Sequence, residues 1–123
     1  MTPRVRALAM LVAAGAVGAV VGFAPGALAK ATTVSADCWR PIGTSYLEWG
    51  STATFDVAKV GNTVAAGLYH EGARKDYNKK TGGWTLMSVR DSRYGVTGGK
   101  KWQVEGSAWV GNGPWISNVC RVT

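Results

Sequence analysis

The segment KWQVEGSAWV, residues 101–110, alternates between two kinds of residue. The even positions, from Trp102 to Val110, are apolar or small, whereas the odd positions are polar until Trp109. Because successive side chains of a β-strand point to opposite faces, this pattern predicts a strand with one buried and one solvated face. Trp109 would then be an apolar residue on the solvated face.

Short runs of the same kind, rich in β-branched and aromatic residues and separated by Gly and Asn, recur along the chain, and no segment keeps a helical period. We expect six strands, near residues 45–49, 52–57, 63–70, 84–90, 101–110 and 116–122. Such a pattern is typical of an all-β domain, a small antiparallel β-sandwich of immunoglobulin-like or other two-sheet form. The domain should cover residues 37–123, after a flexible lead-in over residues 30–36.

The N-terminus has the features of a secretory signal peptide. Arg4 and Arg6 precede an uncharged apolar run from Ala7 to Phe23, and Ala27-Leu28-Ala29 supplies small residues before Lys30. We therefore expect cleavage after residue 29 and a secreted, extracellular protein. No second apolar run follows, so no transmembrane segment is expected once residues 1–29 are removed.

The two cysteines, Cys38 and Cys120, lie near the two ends of the expected domain. In a secreted chain such a pair predicts a disulfide bond, here between the first and last strands. Closing a loop of roughly 80 residues should stabilise the fold by about 4–5 kcal/mol in the chain-entropy view.

Composition argues against catalysis. Of 14 Lys and Arg in the chain, 12 follow residue 29, against 7 Asp and Glu, which leaves a charge of +5. One His and two Cys are too few for a metal cage or a catalytic triad. The sequence therefore predicts a binding protein that is not an enzyme, with no cofactor and no metal. It also shows no nucleic-acid-binding module.

Tryptophans provide the first candidate site. If Cys120 points inward, Trp115 and Arg121 point outward, and the turn at residues 111–114 brings Trp115 close to Trp109. Trp39 lies outward by the same rule, since it follows Cys38. These residues form a predicted aromatic patch with Arg121 at its rim, together with Arg40 and Lys101. The remaining tryptophans Trp49, Trp84 and Trp102 are expected in the core.

The second candidate site is a basic segment between residues 69 and 80, which we expect to be a loop. Cations interleaved with tyrosines could bind a phosphate or another anion, and anionic polymers of the cell envelope are the plentiful anions outside a cell. A solvated hairpin kept soluble by lysine is the alternative. The predicted binding residues are Tyr69, His70, Arg74, Lys75, Tyr77, Lys79 and Lys80.

Several motifs follow one another with a recognisable spacing. They are Tyr69-His70-x-Gly72-x-Arg74, Ser88-Val89-Arg90 with Arg93, Gly99-x-x-Trp102, Ala108 and Gly111-Asn112. In order and spacing this stretch resembles the lactococcin 972 family of secreted bacterial antimicrobial proteins. The resemblance implies a two-sheet β-sandwich and a bacteriocin that acts on the envelope of competitors, at a cell-wall precursor. The second His of the family pattern is absent, with Asp76 and Tyr77 near its place.

Three functions follow as expectations. The first is an antibacterial protein, or a small subunit of a secreted toxin complex, that binds an envelope component or a protein partner outside the cell. The second is a carbohydrate-binding module that uses exposed tryptophans on a polysaccharide. The third is a secreted enzyme inhibitor, in which the loop Arg90–Lys100 enters an enzyme cleft.

Overall fold

Seven strands make up the part of the chain that the computed structural model describes, residues 29–97 and 101–123. The predicted signal peptide, apart from its last residue, lies outside this part. No helix long and apolar enough to cross a membrane occurs in it. The strands are β1 (Ala31–Trp39), β2 (Leu47–Phe55), β3 (Asn62–His70), β4 (Ala73–Gly82), β5 (Leu86–Arg93), β6 (Trp102–Val110) and β7 (Ile116–Arg121).

The strands form two antiparallel sheets, with strand orders β1-β2-β5 and β4-β3-β6-β7. This confirms the prediction of an all-β domain with two sheets. The disulfide bond between Cys38 and Cys120 joins β1 to β7, which are edge strands of different sheets, with a Cα–Cα distance of 5.9 Å. The predicted pairing is therefore confirmed, and the bond closes one side of the sandwich.

The core consists of the inward-facing side chains of both sheets. Trp49 is 1% exposed and Trp102 is 8% exposed, as predicted for core tryptophans. Trp84 was predicted to join them, but it is 57% exposed, because it lies in the connection between two sheets and not on a strand. The other large buried residues are Leu47, Phe55, Val64, Leu68, Met87, Val89, Val96, Val104 and Val110.

The predicted flexible lead-in is wrong from residue 31 onward. Ala31 to Ala36 belong to β1, which pairs with β2 as far as Phe55. The Lys30 N–H donates to Asp56 Oδ1 at 2.9 Å and fixes the start of the strand. Thr and Val favour strands, and the pairing with β2 provides the tertiary contacts that order this segment.

The predicted basic loop is also wrong, since residues 73–82 form β4. The strand lies at the edge of its sheet and is exposed along most of its length, so charged side chains occupy both of its faces. Such a strand shows no alternation of apolar and polar residues. The two short strands expected at residues 45–49 and 52–57 are in turn a single strand, β2.

Three connections between strands meet at one end of the sandwich, which we call the tip. They are residues 56–61 between β2 and β3, residues 83–85 between β4 and β5, and residues 111–115 between β6 and β7. The Gly111 N–H donates to the carbonyl oxygen of Gly61 at 3.0 Å, which joins two of these connections. The connections β1–β2, β3–β4 and β5–β6 lie at the opposite end.

Candidate binding face

The side chains of β6 show which surface of the four-stranded sheet faces solvent. The even-numbered residues from Trp102 to Val110 are buried, and the odd-numbered residues from Gln103 to Trp109 are half-buried. The face assignment predicted from sequence is confirmed. The outward side of the sheet, which we call the binding face, includes Trp109.

A pair of tryptophans stands at the tip end of the binding face. The β6–β7 turn contains Gly111 at φ 57° and is closed by a hydrogen bond of 2.9 Å from the Gly113 N–H to the Val110 carbonyl oxygen. The turn brings the rings of Trp109 and Trp115 edge to face, with centroids 6.5 Å apart. Trp115 is 72% exposed, so the predicted pair presents an aromatic surface to solvent.

Strand β4 changes register close to its start. Tyr69 on β3 pairs with Arg74, whereas Leu68 pairs with Asp76, so Lys75 is an extra residue in a β-bulge. The bulge places Arg74 beside Tyr69 and lets the rest of β4 resume the regular alternation.

Beyond the bulge, β4 adds a tyrosine and a lysine to the binding face. Tyr77 lies opposite Gly67 and Lys79 lies opposite Ala65, both outward positions of β3. The guanidinium carbon of Arg74 is 4.5 Å from the centroid of the Tyr77 ring, which is a cation–π distance. One edge of the binding face therefore carries alternating cationic and aromatic groups.

Tyr69 links this edge to β6. Its hydroxyl group lies within the influence of the Glu105 carboxylate and of the Arg74 guanidinium. Burial raises the pKa of Tyr69, and the charge of Glu105 and the hydrogen bond to it raise the pKa further, against the opposing effect of Arg74. The phenol is neutral at pH 7, as in an ordinary tyrosine, and can donate a hydrogen bond.

The end of the binding face away from the tip carries Arg121. Its Nη1 donates to Oε1 of Gln103 at 2.8 Å. Glu71 and Lys101 stand beside this pair in left-handed conformations, φ 52° and 54°, and the Glu71 N–H donates to the Lys101 carbonyl oxygen at 3.2 Å. Such backbone strain in non-glycine residues is common at functional sites. An open depression of about 600 Å³ lies here, lined by Glu71, Gly72, Lys101, Trp102, Gln103, Arg121 and Val122.

The structure separates some of the predicted site residues from this face. His70 points inward, where its ring stacks on Trp102 with centroids 4.3 Å apart and an interplanar angle of 18°. Lys80 has the opposite orientation to Lys79, and its Nζ lies 5.1 Å from the centroid of Trp84. The basic segment is thus divided between two sides of β4.

The predicted aromatic patch is divided as well. Trp39 is exposed, but it lies on the three-stranded sheet at the end away from the tip. Arg121 pairs with Gln103 at the start of β6, whereas Trp109 is near the end of that strand, so Arg121 does not rim the tryptophan pair. The residues that share the binding face are Tyr69, Arg74, Tyr77, Lys79, Trp109, Trp115 and Arg121.

Sequence analysis did not single out the small residues between these groups. Ala65 and Gly67 on β3 lie opposite Ser107 and Glu105 on β6, and Ser107 lies opposite Ser117 on β7. Ala65 and Gly67 are buried beneath larger neighbours, which stand around them at the tip end and along β4. Alternation within residues 63–70 was the available signal, because it places Ala65 and Gly67 on one face.

The groups on this face suit non-covalent binding. They are aromatic rings, guanidinium and ammonium groups, and hydroxyls. In the described part of the chain, no three His, Cys, Asp or Glu side chains are placed to hold a metal ion.

No protein-family model, curated protein or solved structure matches this chain.

Proposed function

We propose that this chain is a secreted, non-catalytic binding protein that recognises an anionic, sugar-bearing component of the bacterial cell envelope. The observation that supports this proposal is the presence, on one sheet face, of the Trp109–Trp115 pair and the Arg74–Tyr77–Lys79 edge. In the sequence these are two separate features, about 30 residues apart. Because they lie on one face, a single extended ligand can contact both.

The chemistry of the two features is complementary. Indole rings offer large, rigid apolar surfaces that suit the apolar faces of sugar rings. Guanidinium and ammonium groups bind phosphates and carboxylates, and Arg does so with two parallel hydrogen bonds. A polymer or precursor that carries sugars and anionic groups in series would satisfy both features at once.

Antibacterial action is part of the proposal. It rests on the net positive charge, the predicted signal peptide and the resemblance to the lactococcin 972 family. The Cys38–Cys120 disulfide is consistent with an extracellular site of action, where such bonds persist. We also propose that the sandwich is of the immunoglobulin-like form, and its strand orders, β1-β2-β5 and β4-β3-β6-β7, support this.

The experiment is a binding assay on purified cell walls of Gram-positive bacteria, with the protein comprising residues 29–123. All seven strands, the core and the disulfide lie in this range. Arg74→Ala with Tyr77→Ala should weaken binding about tenfold or more, since two charge-assisted or aromatic contacts contribute about 1 kcal/mol each or more. Tyr94→Ala is the matched control, because Tyr94 is an exposed tyrosine at the end away from the tip.

Growth inhibition supplies the second measurement. The purified protein should slow the growth of some Gram-positive strains, and the double variant should lose that effect. Wall binding that is equal in the double variant and in Tyr94→Ala would contradict the proposed face. Wall binding without growth inhibition would retain the binding proposal and reject the antibacterial one.

A carbohydrate-binding module is the second candidate, and the exposed Trp109–Trp115 pair favours it. In that case Trp115→Ala should abolish binding to a neutral polysaccharide, whereas Arg74→Ala should not change it. Trp39→Ala is the control, since Trp39 is exposed on the other sheet. No observation favours an inhibitor: Arg90 to Arg93 belong to β5, Val96 is buried, and residues 98–100 lie outside the described part.

A further inference from the structure

The tip carries exposed apolar side chains that do not belong to the binding face. Val57 and Val60 lie in the connection between β2 and β3, and Val60 is 82% exposed. Trp84 lies in the connection between β4 and β5, and Leu86 begins β5. Both are more than half exposed.

These side chains are clustered at the tip because the two connections that carry them are held together. Asn62 is fully buried, and its Nδ2 donates to the Val57 carbonyl oxygen at 3.0 Å and to the Trp84 carbonyl oxygen at 2.9 Å. The Val60 backbone also approaches Gly83, where a Cβ atom would lie 4.0 Å from the Val60 Cα. A contiguous exposed apolar patch marks an interaction surface, whereas isolated apolar residues do not.

Charge is distributed unevenly between the tip and the rest of the domain. Lys30, Lys59 and Lys80 lie at or beside the tip. Asp56 is the one acidic residue there, and its Oδ1 accepts the Lys30 backbone N–H. The other acidic residues of the chain lie in the half away from the tip: Asp37, Glu48, Glu71, Asp76, Asp91 and Glu105.

We propose that the tip docks on a membrane surface that contains anionic phospholipids. Trp, Val and Leu side chains would enter the boundary between headgroups and acyl chains, where an indole ring is favourable. Lysines beside them would contact the headgroups, and each contributes about 1 kcal/mol near an anionic surface. Lys80 Nζ lies 5.1 Å from the centroid of the Trp84 ring, so a cation and an exposed indole stand side by side at the tip.

The same features argue against a protein partner as the occupant. Lysine is depleted at the core of protein–protein interfaces, yet Lys59 and Lys80 accompany the apolar residues here. A bilayer instead requires apolar groups together with cations. Docking would set the strands roughly along the membrane normal, with the Trp115 turn near the bilayer through the Gly61–Gly111 contact. This inference does not depend on the ligand of the binding face.

The test is co-sedimentation of residues 29–123 with vesicles of phosphatidylcholine alone or mixed with phosphatidylglycerol. Residues 1–28 are omitted because the apolar run Ala7–Phe23 would itself enter a bilayer. We expect binding to the anionic vesicles, weakened by salt, with a blue shift of tryptophan emission. Val60→Asp should reduce binding about tenfold, whereas Ile42→Asp, at a fully exposed residue at the opposite end, should change it less than about twofold.

A charge series completes the test. Lys59→Glu with Lys80→Glu should reduce binding to anionic vesicles about 25-fold or more, at about fivefold for each lysine removed. Lys75→Glu with Lys101→Glu changes the net charge equally in the half away from the tip and should have a much smaller effect. Equal losses in the two double variants would overturn docking by the tip. Failure of the wild-type protein to bind anionic vesicles would also overturn it. The same holds if sedimentation velocity shows that the wild type associates through Val60 only with a second copy of itself and not with vesicles.

Discussion

The ring of Tyr69 covers the backbone of Gly67, two residues earlier on β3, so that a Cβ atom at Gly67 would lie 2.9 Å from Cε1 of the ring. Both residues occupy outward positions of β3, and Gly67 lies between Tyr77 on β4 and Glu105 on β6. The glycine therefore lets Tyr69 lie low on the sheet, in reach of Glu105. The shape of the binding face depends on the absence of one side chain.

Gly67→Ala should change binding more than stability. Overpacking costs about 1–3 kcal/mol, but the end of the Tyr69 ring can move, and alanine gains about 0.5–1 kcal/mol over glycine in a strand. We expect a loss of about 1 kcal/mol in urea unfolding together with a several-fold loss of cell-wall binding. Gly83→Ala is the control, because its Cβ would meet no atom closer than 4.0 Å. Unchanged wall binding in Gly67→Ala would show that the Tyr69 position is irrelevant to the ligand.

The raised pKa of Tyr69 gives a prediction for alkaline pH. Burial raises this pKa, and Glu105 raises it further through its charge and hydrogen bond, so Glu105→Gln should lower the pKa of Tyr69. The stabilisation from the neutral phenol is fully present below the ordinary tyrosine pKa of about 10, and is lost as the pH rises through the folded value. NMR titration of labelled tyrosine Cζ atoms measures the shift.

Tyr46 provides the internal control for that titration. Its pKa is raised mainly by its hydrogen bond to Glu48, at 2.9 Å from Oη to Oε2, on the other sheet. Glu105→Gln should therefore leave the Tyr46 titration unchanged. A shift of both tyrosines would indicate a general change in the fold, and no shift of Tyr69 would contradict its contact with Glu105.

Sequence could predict the strands that are buried on one face. In β6 small or apolar residues alternate with polar ones as far as Trp109, and this alternation gave the outward position of Trp109, while the turn after it gave its proximity to Trp115. The disulfide followed from two cysteines near the ends of the expected domain. The alternation within β6 determines which side chains face outward, and the presence of only two cysteines determines which pair can form the disulfide.

Sequence could not predict the edges of the sheets. β4 has charged residues on both faces, since an edge strand is solvated on both, and nothing in residues 73–82 distinguishes it from a loop. The placement of Trp39 depends on the pairing of β1 with β2 and not with β7. That pairing is determined by tertiary contacts and not by the local sequence of β1. Trp84 looked like a core residue because its segment continues into β5, but the crossing between sheets occurs at that residue.

Removal of the disulfide should destabilise β1 before the rest of the fold. Cys38→Ala with Cys120→Ala frees two edge strands that belong to different sheets, and the loss of stability should be about 2–5 kcal/mol in urea unfolding. Without the bond β1 is paired in its sheet with β2 alone. Limited proteolysis should then cut within residues 31–39 first. Wild type treated with reductant should behave as the double variant, and a loss below about 1 kcal/mol would mean that β1 is held by packing.

Asn62→Ala should loosen the tip. The Asn62 side chain is fully buried and donates from Nδ2 to the carbonyl oxygens of Val57 and Trp84, so its loss leaves both oxygens without this donor. We expect a loss of about 1–3 kcal/mol in urea unfolding. Because the two connections then separate, binding to anionic vesicles should also fall, and amide hydrogen exchange should speed up over residues 56–61 and 83–85. Asn78→Ala, on the exposed edge strand β4, is the control for both measurements.

The two readouts of Asn62→Ala separate two conclusions. Faster amide exchange in the tip with unchanged vesicle binding would show that the apolar residues bind vesicles without a fixed arrangement. Unchanged amide exchange would contradict the role of Asn62 as the link between the two connections.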